Sequence, residues 1–182
     1  MGHAEEMTDA STTLARDLLR DGFGRIREGV PLVVEGLSVE QLLWRPDADA
    51  NHIAWLLWHL SRQQDEQVAH LAGRRSAYLE DGWAERFDLP YAASAHGWGQ
   101  SSAEVGAFRM GDPGLLGGYQ GAVHERTIAY VDATEADEWA GVIDKRWDPP
   151  VTVAVRVVSV LGDAMKHLGQ AEYVKGLVTR RA

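Results

Sequence analysis

Asp163 and His167 stand four residues apart in the stretch Gly162-Asp-Ala-Met-Lys-His-Leu-Gly-Gln-Ala-Glu-Tyr-Val-Lys-Gly176, where they interrupt an otherwise apolar stripe. On a helix that spacing puts both side chains on one face, with Cβ atoms roughly 5–6 Å apart. A carboxylate and an imidazole so placed suit two ligands of one metal ion. A third ligand must come from elsewhere, and the best candidate is His59, far upstream in Asn51-His-Ile-Ala-Trp-Leu-Leu-Trp-His-Leu60. Each residue also has an ordinary explanation. Asp163 and His167 could be a hydrogen-bonded pair, or Asp163 could turn toward solvent, because a buried ionised carboxylate is expensive unless paired or bound to a metal. His59, flanked by Leu56, Leu57, Trp58 and Leu60, reads equally as a core histidine.

Other chemistries fail on inspection. His124-Glu125 would open a His-Glu-x-x-His zinc motif only with histidine at 128, which is Ile128. There is no Gly-x-Ser-x-Gly nucleophile elbow, and no lysine is followed by Ser or Thr as in a phosphate loop. Asp47-Ala-Asp49-Ala-Asn51-His52 begins like a calcium loop but lacks the required glycine and the closing glutamate, which is replaced by Trp58. A hydrolytic metal site would need a general base, for which Asp65 and Glu66 are the nearest carboxylates past His59.

The elements that must position these residues read as helices. Leu14, Leu18, Leu19, Phe23 and Ile26 follow helical spacing from Ser11 to about Gly29, and the helix either runs through or bends at Pro31 to reach Val34. Ser38-Val-Glu-Gln41 has capping-box spacing for a short helix ending by Pro46. Asn51 or Asp49 is the expected N-cap of a long helix from His52 to about Ala72, with His52 an end residue and His70 too distant to share an ion. The stretch from Gly73 to Gly111 loses periodicity. It carries Trp83, Phe87, Tyr91 and Gly97-Trp98-Gly99, and Ser101 or Ser102 should cap a short helix within it. Asp112-Pro113 opens a third long helix to about Asp132, in which Gly117, Gly118 and Gly121 point to close helix packing. Thr152 to Arg180 is the fourth, with Val160, Asp163, Ala164, His167, Ala171, Val174 and Val178 on its core-facing stripe. Its β-branched start imitates a strand until Leu161–Val178 continues at helical spacing. The fold class is all-α: one domain over residues 1–182, a four-helix bundle with a long crossover between the second and third long helices.

Composition narrows the partners. At 182 residues, 45% hydrophobic and 25% charged, the chain can bury a core without staples, so a metal would be functional rather than structural. A net charge of −9 disfavours a phosphate backbone, hence no nucleic acid. No apolar run approaches the roughly 20 residues of a membrane span. The acidic N-terminus does not resemble a signal peptide, so the expected location is cytoplasmic. The absence of cysteine removes disulfides, thiolate zinc sites and a cysteine nucleophile together, so thiol chemistry would need an outside thiol.

Asn51-x-Ile-x-Trp-Leu-x-Trp-His59-Leu, with Asp163-x-x-x-His167-x-Gly-Gln170-x-x-Tyr173-x-x-Gly176 two long helices later, resembles the DinB-like superfamily, in particular its actinobacterial branch related to mycothiol-dependent enzymes. The resemblance runs from about Leu14 to Val178. It implies a bundle of the DinB/YfiT type whose second and fourth long helices hold a divalent metal, zinc in the first instance and nickel as the alternative, through His59, Asp163 and His167. Where Asp163 stands, the superfamily often has a second histidine; aspartate is a competent oxygen ligand for zinc. Gln170, one turn beyond His167, is placed to support a liganding imidazole or pack the helix. A His₂Asp set leaves a coordination position open, the pattern of a catalytic ion. The implied function is metal-dependent S-transfer from a low-molecular-weight thiol such as mycothiol or bacillithiol to small electrophiles in detoxification. The alternatives are a metal-dependent hydrolase of the same fold and a ligand-binding bundle without enzymatic activity. Bundles of this kind often pair as symmetric homodimers.

Overall fold

The computed structural model describes residues 2–181, with side chains from residue 10 onward; the N-terminal residues on which the signal-peptide reading rests lie largely outside the described side chains. Four long helices form the body: α1 (Gly2–Val34), α3 (Ile53–Leu71), α7 (Gly114–Ala133) and α8 (Val153–Thr179). Short helices α2 (Val39–Leu42), α4 (Ala77–Glu80), α5 (Trp83–Phe87) and α6 (Ser102–Ala107) fill the connections. The all-α architecture holds, with one addition. Val142–Asp144 (β1) and Val151–Thr152 (β2) pair as a small antiparallel hairpin that delivers the chain to α8.

Each start has a local cause. Ser38 closes a capping box with Gln41, and Ser101 closes another with Glu104. Thr152 caps α8 by accepting from Val155 N. The α3 cap is neither Asn51 nor Asp49 but His52, whose Nδ1 accepts from Trp55 N at 3.0 Å while its Nε2–H donates to Val105 O at 3.1 Å. Asp47 instead spends its carboxylate on the backbone N–H groups of Asp49 and Ala50, which is turn chemistry rather than calcium coordination. Helix α1 begins well before Ser11 and continues through Pro31 to Val34.

Around the bundle the neighbours are α1–α7–α3–α8 and back to α1. Cross-links give the directions. Arg20 pairs with Asp132 and Pro31 lies against Gly117, so α1 and α7 are antiparallel. Arg156 bonds Gln67 while His59 meets His167, so α3 and α8 are antiparallel. Leu161 and Leu168 of α8 seat against Gly22 and Gly29 of α1, where an added Cβ would come within 2.8 and 2.6 Å of a leucine methyl. That matched seven-residue step makes α1 and α8 parallel neighbours and sets their register. The parallel pair α3 and α7 then requires a long crossover, which is what residues 72–113 supply. Gly118 lies against Trp83 of that crossover, and Gly121 against Arg27 of α1. The core comprises Phe23, Ile26 and Val30 of α1, Trp55 to Leu60 of α3, Leu116 to Val123 of α7 and Val157 to Val178 of α8.

Candidate metal centre

Antiparallel packing of α3 on α8 brings His59 to Asp163 and His167. One ligand atom from each lies within 4.8 Å of the other two, and this is the group of its kind among the described residues. The two imidazoles meet edge to face with ring centroids 4.8 Å apart, and His167 Nε2 is 3.6 Å from Asp163 Oδ1.

Both rings are oriented from behind. His59 Nδ1–H donates to the carbonyl of His96 at 2.5 Å, and His167 Nδ1–H donates to Gln170 Oε1 at 2.8 Å. An acceptor on Nδ1 fixes the tautomer and leaves the Nε2 lone pair free, which is how a liganding histidine is prepared. Gln170 therefore touches the ring its spacing pointed to. Burial pushes the His59 imidazolium down to about 4, against a smaller upward pull from the His96 carbonyl. The ring is neutral at physiological pH, as a ligand must be.

The crossover completes the site, and this part was not readable from the chain. Successive positions on one face of α3 grip one strip of loop: Trp55 Nε1 donates to Gln100 Oε1 at 2.7 Å, His59 to His96 O, and Arg62 Nε to Ala95 O at 3.1 Å. Trp55 also stacks on the His59 ring, with centroids 4.6 Å apart and planes 15° from parallel. Gly97 has φ +92, and a Cβ there would collide with His59 Nδ1 and lie 3.0 Å from Trp55. Glycine is required on both counts. The Gly97-Trp98-Gly99 triplet was the only sequence signal, and nothing in it pointed to His59.

The other carboxylates on α3 are engaged elsewhere. Asp65 accepts from Ala77 N and Tyr78 N, both at 2.8 Å, and from Tyr119 Oη at 2.7 Å. Glu66 pairs with buried Arg62 at 2.8 Å, and Arg62 lies over the Tyr78 ring at 4.2 Å. Neither carboxylate belongs to the histidine–aspartate group. His70 takes no part in the cluster. A cavity of about 720 Å³ opens between α3 and α7 near Ala72 and Tyr130, but Asp65 and Arg126 in its wall are already bonded. A second cavity, about 610 Å³, abuts Asp163 itself.

Two histidines and an aspartate converge from antiparallel helices of a four-helix bundle, and the comparisons identify the family of that bundle. The DinB superfamily profile matches residues 23–171, and the chain belongs to that superfamily. Among solved structures, the crystal structure of a conserved protein from Enterococcus faecalis is similar, with a TM-score of 0.85 and 30% identity over 90% of this chain and 96% of that one. No curated protein matches. Among the described residues, no helix is long and apolar enough to cross a membrane.

Proposed function

We propose that the protein is a metal-dependent enzyme in which His59, Asp163 and His167 hold one divalent ion, zinc by preference, and that it transfers a low-molecular-weight thiol to small electrophiles in the cytoplasm. The observation that carries this reading is a donor set fixed on one side and open on the other. Each imidazole has its Nδ1 committed to an acceptor, while Asp163 keeps a side chain 44% exposed beside a cavity.

Neutral imidazole nitrogens and a carboxylate suit zinc, and three protein ligands leave room for a fourth group. An ion bound there supplies positive charge that favours the ionised form of a thiol. The chain's own residues do the rest. His59, backed by Trp55 and the His96 carbonyl, holds its ring rigid; Asp163 lowers the net charge of the centre; Gln170 keeps His167 in the tautomer that presents Nε2. With no cysteine in the chain, the sulfur must come from the cosubstrate. Hydrolysis is less well supported, because Asp65 and Glu66 are tied to Tyr119 and Arg62.

Elemental analysis of protein purified without chelator tests the first half. About one equivalent of metal is expected, lost in His167→Ala; trace metal in both proteins, not raised by reconstitution, overturns the reading. Incubating the loaded protein with mycothiol and a chlorinated nitroarene tests the second: a thioether product absent with His167→Ala supports transfer, and its absence with bound metal removes the transferase.

A further inference from the structure

The cavity of about 610 Å³ next to Asp163 is bounded by α3, α8, the loop around His96 and the β1–β2 hairpin. Trp98 and Trp147, from connections far apart in the chain, both line it, yet they are 80% and 65% exposed. Val151, Val155 and Val160 extend the apolar wall. Folding gains little from indoles left in water, and two of them at one cavity offer broad apolar faces to a flat ligand.

Two carboxylates, Asp144 and Asp163, and two guanidiniums, Arg146 and Arg156, line it. Asp144 takes the Arg146 guanidinium bidentately, at 2.9 and 2.7 Å, so that pair neutralises itself. Arg156 is half-buried and held by Nη1 to the neutral Gln67 Oε1 at 2.5 Å; among the described residues it makes no ion pair. Its charge is held in place without an ion-pair contact, although the Asp144 carboxylate acts on it at longer range. Arg156, Val160, Asp163 and His167 recur at four- and three-residue steps, so they share one face of α8. Seven residues separate Arg156 from Asp163, roughly 10 Å along the helix at about 1.5 Å per residue. A chain of net charge −9 repels anions over most of its surface, which makes a local unpaired guanidinium at a cavity selective.

We propose that this cavity is the acceptor subsite and takes an organic anion with a flat apolar body, its carboxylate on Arg156 and its body against Trp98 and Trp147, so that the far end points along α8 toward Asp163 and His167. The reacting role of that far end rests on the metal-enzyme reading; binding in the cavity does not. Planar guanidinium suits a carboxylate because two parallel N–H groups can donate to it.

Calorimetric titration of the full chain, stripped of metal, with 2-naphthoate and with neutral 2-naphthylmethanol tests this. Naphthoate is expected to bind about tenfold or more tightly than the alcohol, the preference a charge-assisted pair confers. R156Q should erase that preference while leaving the alcohol unchanged, R156K should keep part of it, and W98A/W147A should weaken both probes. Equal affinity for the two probes, or naphthoate binding indifferent to R156Q in a variant whose circular dichroism is native, overturns the proposal. Repeating the titration with zinc separates the two readings. Naphthoate binding that needs zinc and ignores Arg156 sinks the subsite and leaves the metal centre. Arg156-dependent binding in a protein that takes up no zinc sinks the enzyme and leaves the subsite.

Discussion

Asp65 and Asp163 are both acidic residues on core-facing helices, and they are used in opposite ways. Asp65 is 3% exposed, but both its oxygens are engaged: they accept from two backbone N–H groups at the start of α4 and the Tyr119 hydroxyl, with the Arg62 guanidinium nearby at 3.9 Å. Asp163 has a side chain 44% exposed, with His167 Nε2 at 3.6 Å, too long for a hydrogen bond, and the His59 ring within 4.8 Å. Burial alone would mark Asp65 as the functional carboxylate. Acceptor capacity reverses the order: a carboxylate that already accepts three hydrogen bonds is part of the scaffold, and one left open beside two imidazoles is available for a ligand.

The strongest way to break that comparison is to remove the filled carboxylate. Asp65→Ala leaves Arg62 and Tyr119 without their buried partner and strips the N-terminus of α4, with an expected cost of about 3–5 kcal/mol by chemical denaturation. A loss below about 1 kcal/mol would mean the Asp65 network is not structural.

Acid sharpens the contrast from the histidine side. His52 and His59 are both pushed down to about 4 by burial, from an ordinary value of 6.5. A histidine held neutral in the fold takes up its proton more readily when unfolded, so its contribution is present above pH 6.5 and is lost as pH falls toward 4. Each is worth up to roughly 3 kcal/mol over that window. Denaturation of metal-free protein at pH 7 and pH 4.5 should show the fall, and His59→Gln should flatten part of it. An unchanged slope in that variant would mean that burial of His59 carries no cost.

The smallest effect falls on the open site itself. Gln170→Ala removes the acceptor behind His167 while touching no core residue, and metal affinity should drop about 10-fold with little change in folding stability. Competition with a chromogenic chelator measures it; unchanged affinity would show that His167 is oriented by packing alone.

How far the chain could be read followed the range of the interactions. The capping box at Ser38, a cap at Ser101 or Ser102, the Thr152 start of α8 and the stripe through Val160, Asp163 and His167 involve neighbours within a turn or two, and they were legible. The α3 cap was misassigned because histidine is not an ordinary capping residue; His52 serves because Val105, brought in by the crossover, takes its other nitrogen. The β1–β2 hairpin escaped because two-residue pairing leaves little pattern, and Val151 looked like the front of a helix. Membership of the DinB superfamily agrees with the motif resemblance, although nothing in the comparisons singles out a branch within it.

The sequence by itself determined four amphipathic helices, the cysteine-free composition and the i,i+4 placement of Asp163 and His167, since helical periodicity and short-range geometry are written into neighbouring residues. Only the tertiary structure decided that α3 runs antiparallel to α8 at a register that carries His59 to that pair, that Gly97 admits the His96 carbonyl behind it, and that Asp65 is closed while Asp163 stays open. Those outcomes depend on contacts between residues tens of positions apart, which packing of the whole core fixes together and no local pattern records.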